Sequence, residues 1–271
     1  MTITLRIISD KAQSAAFNMA ADLFVMESCA ETETITLRFY EWEYPSITLG
    51  FAQKAPDVLD FKAMEKNSVQ WVRRPTGGRA VLHENDITYS CIFPIKVEEM
   101  GKNISGTYTI ISRCLMSGLY KAGIMCEYSD SAIALHETRQ QIKLPCFLAP
   151  NRNEIMYEGR KLFGSAQKRT SRSVLQHGSI PFSSAYRKLP EYLKLLPEER
   201  VVQKKMLEAK SVCVEETNRI LTKDDVRKSL VEGFVETLSY KVEEIKFTKD
   251  ETEKINAIAE SEEFGSKWMN G

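Results

Sequence analysis

Short β-strand patterns joined by tight turns fill the middle of this chain, and that arrangement limits the folds open to it. Stretches such as "TITLRFY", "DITYSCIFPI" and "SVLQHGSIPF" are rich in β-branched and aromatic residues. The segment "EIMYEGRKLFGSAQKR" predicts a hairpin that turns at Glu158 and Gly159. Strand patterns that follow one another as hairpins, without a regular β-α-β order, favour antiparallel pairing. We therefore predict an α+β protein with mixed, largely antiparallel sheets and flanking helices.

Helical patterns flank this strand-rich region. Near the start, "AFNMAADLFVMESCAE" repeats apolar residues at helical spacing, and "SGTYTIISRCLMSGLYKAGI" predicts a further helix. From about Ser184 the segments become charged and helical, as in "LPEYLKLLPEERVVQKKMLEAK" and "TKDDVRKSLVEGFVETLS". We expect a catalytic core of residues 1–183 and a helical C-terminal extension, residues 184–271, packed on the same domain.

Charge and cysteine usage exclude several classes of function. The 37 Lys and Arg residues balance 37 Asp and Glu residues, so no overall field favours nucleic acid or an anionic membrane. The chain has no long apolar run and no signal-peptide pattern at its start, so we expect a cytoplasmic protein without membrane contact. Six scattered cysteines without a CxxC pair, and only three histidines, predict free thiols and no metal site.

The stretch "WVRRPTGGRAVLHENDITYS" concentrates arginines around a glycine pair between two strand patterns. Glycine lets a backbone approach a ligand closely, and guanidinium and backbone N–H groups bind carbonyl, phosphate or carboxylate oxygens. A hairpin turn with solvated arginines is an equally good interpretation of the same residues. The candidate binding residues of this arginine loop are Arg73, Arg74, Thr76, Gly77, Gly78 and Arg79.

One cysteine lies in a setting that differs from the others. Cys146, in "LPCFLAP", stands between Pro145 and Pro150, which stiffen the segment and would fix the position of the sulfur. A nucleophilic cysteine needs a histidine or a cation that stabilises its thiolate. A buried packing cysteine is the more common situation, so the residues alone leave both interpretations open.

The hairpin and the strand after it supply further candidates. Lys161 precedes the small residues Gly164, Ser165 and Ala166, against which a ligand's chain could lie. Spacing alone favours an exposed lysine on an edge strand. His177, beside Gly178, and His83, after the arginine loop, are each typical of structural histidines when considered singly.

Together these motifs resemble the superfamily of biotin and lipoate A/B protein ligases and transferases. The resemblance runs from "AFNMAADLFV" through "RRPTGGRAVLHENDITYS" and "EGRKLFGSAQKR" to "LQHGSIPF", and so covers nearly the whole chain. Within it, the chain is most similar to the cysteine-dependent octanoyltransferase branch. Ligases usually carry three glycines in the arginine loop, whereas this chain has Gly77, Gly78 and then Arg79, as the transferases do.

This resemblance implies a biotin/lipoate protein ligase-like catalytic domain with a tunnel for a medium-length acyl chain. It assigns the nucleophile of a "CF-x-AP" element to Cys146 and a catalytic cation to Lys161. In the implied reaction, octanoyl-acyl carrier protein acylates Cys146, and the octanoyl group then passes to a lysine of a lipoyl-domain acceptor, such as the glycine cleavage H protein. No cofactor is required. The substrate-binding residues would be those of the arginine loop, with His83, Gly164, Ser165, Ala166, His177 and Gly178.

Two alternatives stay open. Where the transferases usually have "SWYE" after the Ala-Pro pair, this chain has "NRNE", so Asn151, Arg152 and Asn153 favour an ATP- and Mg²⁺-dependent lipoate-protein ligase. In such a ligase the arginine loop would bind the phosphate of an acyl-adenylate. The second alternative is a non-catalytic acyl-binding protein, which the presence of both Cys146 and Lys161 disfavours.

Overall fold

The computed structural model of the chain describes residues 3–129 and 154–269. Within them the strands are β1 (Thr4–Ser9), β2 (Thr34–Tyr40), β3 (Ser46–Leu49), β4 (Gln70–Arg73), β5 (Val81–His83), β6 (Asp86–Pro94), β7 (Glu127–Ser129), β8 (Glu154–Tyr157), β9 (Arg160–Arg169), β10 (Ser173–Pro181) and β11 (Lys241–Glu244). The α-helices are α1 (Ala15–Ser28), α2 (Ala55–Val58), α3 (Phe61–Lys66), α4 (Ile104–Lys121), α5 (Pro197–Lys210), α6 (Val214–Thr217), α7 (Lys223–Leu238), α8 (Lys249–Ala259) and α9 (Glu262–Phe264). Three 3₁₀ segments (Cys29–Glu31, Glu98–Met100 and Ser184–Tyr192) and a π-helical turn (Gly265–Met269) complete the described structure.

The larger sheet has eight strands in the order β11-β1-β2-β6-β10-β9-β8-β7. Its first three strands run parallel, because α1 carries the chain back across the sheet between β1 and β2. All the other neighbours pair antiparallel. The predicted α+β class with mixed, largely antiparallel sheets is confirmed.

The smaller sheet explains the path of the arginine loop. β3 lies at its centre, with β4 parallel on one side and β5 antiparallel on the other. The segment between β4 and β5 therefore crosses from one edge of this sheet to the other. The hairpin interpretation of the arginine loop is wrong, because the two strands it joins pair with β3 and not with each other.

Apolar residues fill both faces of the large sheet. One face packs against α4 and α7 through a large cluster that includes Phe93, Leu115 and Phe234. The opposite face packs against α1 through smaller clusters, in which Ile255 of α8 and Trp268 also take part. A buried site can therefore form where this second face meets the smaller sheet.

The C-terminal region differs in one element from the helical pattern that the sequence predicts. β11 adds a parallel strand to β1, with Thr4 opposite Lys241 and Ile7 opposite Glu244. The strand is short, charged and largely exposed, as edge strands often are. Backbone pairing rather than an apolar pattern forms it, and the sequence gives little sign of it. The division of the chain at residue 183 stays a prediction.

No helix in the described ranges combines the length and the apolar content that a membrane crossing requires.

Candidate functional site

A cavity lies between the two sheets and α1. Seven residues that the sequence singled out line it: Arg74, His83, Gly164, Ser165, Ala166, His177 and Gly178. The other lining residues are Met19, Tyr40, Trp42, Thr48, Val81, Thr88 and Ser179.

Small residues on β9 and β10 form one wall of this cavity. The two strands pair antiparallel, with Gly178 opposite Ser165 and Ser179 opposite Gly164. A Cβ atom at Gly178 would lie 2.5 Å from the carbonyl oxygen of Gly164 and 2.7 Å from the hydroxyl of Ser165. Only glycine fits at that position, and the wall therefore consists largely of backbone.

His177 reaches the cavity from β10 and is held at both ring nitrogens. Nδ1 lies 3.2 Å from the Asp22 carboxylate, and Nε2 lies 2.7 Å from the Thr76 hydroxyl. Burial lowers the pKa of His177 below its ordinary value of 6.5, and Arg74 acts in the same direction, while the bond to Asp22 only partly offsets both. The ring is therefore neutral at pH 7. It donates Nδ1–H to Asp22 and accepts the Thr76 proton at Nε2.

His83 is fixed in a similar way. Its Nδ1 lies 2.7 Å from the Asp86 carboxylate and its Nε2 lies 3.0 Å from the Thr48 hydroxyl. Trp42 stacks on the ring, with the ring centroids 4.2 Å apart. The histidine thus has both nitrogens bonded within the wall, and its ring is held beside the cavity.

Asp86 connects His83 to the sheet. Its Oδ2 also accepts from Ser179 at 2.5 Å and from Thr88 at 3.0 Å. Burial alone would raise the pKa of Asp86, but attraction to His83 and these hydrogen bonds outweigh it and lower the pKa below 3.8. Asp86 is therefore an ionised anchor.

A buried group of polar side chains around Arg38, beside the cavity, was not predicted from the sequence. Arg38 is fully buried and donates to Asp10 at 2.5 Å, to the Asn18 side chain at 2.7 Å and to Asp22 at 3.3 Å. Its guanidinium also lies 4.0 Å from the Tyr40 ring centroid. Asn18 and Asp22 stand four residues apart on α1, and so share one helix face among apolar neighbours. That spacing is the sequence signal that could have found them.

The arginine loop is stabilised by its own arginines. Arg74 donates to the carbonyl oxygens of Thr48, Gly77 and Arg79 at 2.8 to 2.9 Å. Gly78 has a φ of +98°, and a Cβ atom there would lie 2.6 Å from the Arg74 guanidinium. A Cβ atom at Gly77 would meet nothing within 4 Å. Gly78 is thus required by the loop, whereas a side chain at Gly77 would extend into open space.

Arg73 has a different set of contacts from the one expected of a substrate ligand. Its Nη1 donates to the Lys267 carbonyl at 2.7 Å, and its Nη2 donates to the Gln53 carbonyl at 3.1 Å. The side chain is buried and lies outside the cavity lining. In this structure Arg73 ties the C-terminal segment to the arginine loop.

Lys161 is buried, in contrast to the exposed edge lysine that its spacing favours. β9 has neighbours on both sides, and so it is an interior strand. The Nζ atom of Lys161 lies 2.5 Å from a carboxylate oxygen of Glu154 on β8. No local pattern predicted this acidic partner.

A register shift sets the direction of Lys161. Met156 of β8 pairs with Lys161, and the preceding residue of β8 pairs with Phe163, so one extra residue bulges from β9. Directly paired residues share a face of a sheet, and neighbours along a strand alternate. Lys161 therefore lies on the face opposite Phe163. Phe163 lies in the core beneath α4, so Lys161 lies on the opposite face of the sheet, and it is not among the residues that line the cavity.

Cys146 lies outside the described residues, and its proximity to Lys161 stays a prediction. The five described cysteines are free and buried. Burial raises the pKa of Cys91 well above its ordinary value, that of Cys29 and Cys126 to about 11, and that of Cys114 and Cys213 to about 12. None of these five is a thiolate at neutral pH. Within residues 3–129 and 154–269, no group of three or more His, Cys, Asp or Glu residues could hold a metal ion.

The sequence of the chain is similar to those of known proteins over nearly its whole length. The family model of the lipoyl protein ligase A/B catalytic domain matches residues 14–235. Octanoyltransferase LipM of Bacillus cereus is 34% identical over 264 residues, which cover 94% of each chain. The protein of the same name from Bacillus subtilis is 33% identical and covers 98% of this chain and 97% of its own.

Solved structures agree on the fold. A crystal structure of lipoate-protein ligase A bound with ATP superposes with a TM-score of 0.77 at 21% identity, covering 98% of this chain and 99% of its own. A bi-partite lipoate protein ligase from Thermoplasma acidophilum, solved with its E2 lipoyl domain, gives a TM-score of 0.77 at 20% identity, covering 97% of this chain and 96% of its own. The protein therefore has the lipoate-protein ligase fold.

Proposed function

Because the chain belongs to the lipoyl protein ligase A/B catalytic domain family, we propose that it is an octanoyltransferase that acts in protein lipoylation. Relatives named octanoyltransferase match it at 33% and 34% identity over almost their whole length. The solved ligases are more distant in sequence, at 20% and 21% identity. The predicted enzyme class, an acyltransferase, agrees with these relatives.

The main structural support for this proposal is the lining of the cavity. Its polar side chains bond to one another or to backbone, as in the pairs of His83 with Asp86 and His177 with Asp22. Because these polar groups are already hydrogen-bonded, the wall presents to a ligand mainly ring faces, glycine backbone and the aliphatic side chains of Met19 and Val81. A saturated acyl chain has no hydrogen-bonding groups, and such a wall is suited to bury it.

The chemistry requires a nucleophile and a cation. In the proposed first step, the Cys146 thiolate attacks the carbonyl carbon of an octanoyl thioester, the bond from that carbon to the donor's sulfur breaks, and this sulfur leaves as a thiolate. Five other cysteines are protonated by burial, which supports Cys146 as the nucleophile. Lys161, buried and oriented by Glu154, would stabilise the thiolate and then the oxyanion of the tetrahedral intermediate.

In the second step, a lysine amine of the acceptor attacks the thioacyl-enzyme, and the amide forms as Cys146 leaves as a thiolate. Exchange between thioesters is close to neutral in energy, and conversion of a thioester into an amide is downhill. We therefore propose that the reaction uses neither ATP nor a metal ion. The donor would be octanoyl-acyl carrier protein, and the acceptor would be a lipoyl-domain protein such as the glycine cleavage H protein, both in the cytoplasm.

Two parallel incubations test the function. The protein and an unmodified lipoyl domain are mixed either with octanoyl-acyl carrier protein alone or with free lipoate, ATP and Mg²⁺. Intact-mass analysis should show one octanoyl group on the acceptor in the first mixture and no modification in the second. Lipoylation in the second mixture, with pyrophosphate released and no transfer in the first, would make the protein a ligase. Bound acyl chain without modification in either mixture would make it a non-catalytic binding protein.

A further inference from the structure

The cavity is open at one side and closed at the other. The lining residues that are partly exposed belong to the walls formed by β5, β9 and β10 and to the segment after β2, namely Trp42, Val81, Gly164, Ser165, Ala166 and Gly178. Lining residues from α1 and the end of β2 are buried, with Met19 and Tyr40 each only 1% exposed. An acyl chain that enters past β9, the strand that carries Lys161, would meet α1 with its methyl end.

The buried polar groups of the lining are tied in place. The Tyr40 hydroxyl donates to Asp22 at 3.4 Å, and Thr48 bonds to His83 at 3.0 Å. Thr88 donates to Asp86 at 3.0 Å. These side chains cannot move without breaking buried hydrogen bonds, so their positions are fixed.

Met19 differs from its neighbours at this end. Among the described lining residues, the aliphatic side chains are those of Met19, Val81 and Ala166, and of these only Met19 is buried. It packs in the apolar cluster that also contains Tyr40 and Val72. A methionine side chain is unbranched and flexible, and it can adjust to the end of a bound chain.

We propose that Met19 closes the acyl pocket and sets the length of the acyl chain that the enzyme accepts. This inference rests on the proposed octanoyl transfer. Shortening the side chain at residue 19 adds space at the closed end for further methylene groups, and a bulkier side chain removes space. The specificity for chain length is thus determined by one residue of α1.

The test compares hexanoyl, octanoyl, decanoyl and dodecanoyl thioesters of acyl carrier protein as donors. For each variant, kcat/KM is measured for all four donors, and the ratio of decanoyl to octanoyl transfer is taken within one preparation. A loss of folded enzyme cancels in that ratio. Met19→Ala should raise it about tenfold, the size of effect that two buried methylenes carry, and Met19→Phe should shift the preference toward hexanoyl.

Met100→Ala is the matched control, because Met100 is fully buried in the core on the other face of the large sheet. It should lose stability without changing the ratio. Unchanged ratios in both Met19 variants would overturn the assignment of Met19, and so would an equal shift in Met100→Ala. If the wild-type protein transfers none of the four chains, the proposed function fails instead.

Discussion

The carboxylate of Glu154 lies 2.5 Å from the ammonium nitrogen of Lys161, and the two side chains are only 11% and 4% exposed. A buried ion pair contributes little net stability, but breaking it leaves one charge without its partner at a high cost. Such a pair is better explained by a role in placing a cation than by a role in folding. Glu154 and the register shift in β9 together hold Lys161 on the face of the sheet opposite Phe163.

Substitution of this pair separates stability from catalysis. Glu154→Gln should lower the free energy of unfolding by about 3 kcal/mol, because it removes the carboxylate charge that pairs with the buried Lys161 ammonium. The double variant Glu154→Gln with Lys161→Met removes both charges and should regain most of that loss, yet transfer octanoate at less than about one hundredth of the wild-type rate. Urea unfolding and acceptor octanoylation are the measurements. A double variant with normal activity would remove Lys161 from the mechanism.

The buried state of His177 predicts a pH dependence of stability. Its folded pKa lies below 6.5, so above about pH 6.5 the ring is neutral in both states and adds no pH dependence. As the pH falls below that value, the unfolded chain binds a proton that the folded ring resists, and stability falls by at most about 1.4 kcal/mol per pH unit. Thermal unfolding between pH 7 and pH 5 should show this fall.

The variant His177→Gln is the control between pH 5 and pH 6.5, because a glutamine side chain does not bind a proton in this range. Asp86 acts at lower pH, since its folded pKa is depressed below 3.8. Its contribution is present above about pH 4 and is lost as the pH falls through the folded pKa. Equal slopes for the wild-type protein and His177→Gln between pH 5 and pH 6.5 would show that His177 does not titrate as described.

The two glycines of the arginine loop should respond differently to alanine. Gly78→Ala should cost at least about 1 kcal/mol of stability, because a left-handed backbone disfavours a Cβ atom and this one would lie 2.6 Å from Arg74. Gly77→Ala should leave stability within about 0.5 kcal/mol, since its Cβ atom meets nothing within 4 Å. If Gly77 lies against the substrate, Gly77→Ala should raise KM for the acyl donor at unchanged stability. An unchanged KM would remove Gly77 from the binding residues.

Arg73 should act on the C-terminal segment rather than on the substrate directly. Arg73→Met leaves the Lys267 carbonyl without its 2.7 Å donor, and should cost about 2 kcal/mol of stability. Hydrogen exchange should become faster in α9 and the following π-helical turn. An increased KM for the donor with unchanged exchange in this segment would instead support the sequence-based assignment of Arg73 as a substrate ligand.

Most elements were predictable because the spacing of their apolar residues along the chain shows which side of the element is buried. β9, β10 and α1 lie where alternation and helical spacing predict them. β11 was missed because it pairs only through its backbone at a charged edge. The path of the arginine loop was also missed, since it depends on β3, which lies more than twenty residues upstream of the loop.

For the site, local motifs identified the residues that line the cavity better than they identified the residues that hydrogen-bond to them. Gly164, Ala166 and His177 line the cavity as the motifs suggested. The carboxylate that orients His177, that of Asp22, is 155 residues away in the chain. Arg73 and Lys267 are 194 residues apart. Contacts of this kind depend on the tertiary fold, and no local sequence pattern predicts them.

The most direct test of the covalent mechanism is the intact mass of the protein after incubation with octanoyl-acyl carrier protein and no acceptor. Wild-type protein and the control Cys213→Ala, which removes a thiol whose pKa is raised to about 12, should each gain one octanoyl group. Cys146→Ala should gain none and should fail to modify a lipoyl domain added later. Octanoylation of the acceptor by Cys146→Ala at the wild-type rate would contradict the thioacyl-enzyme.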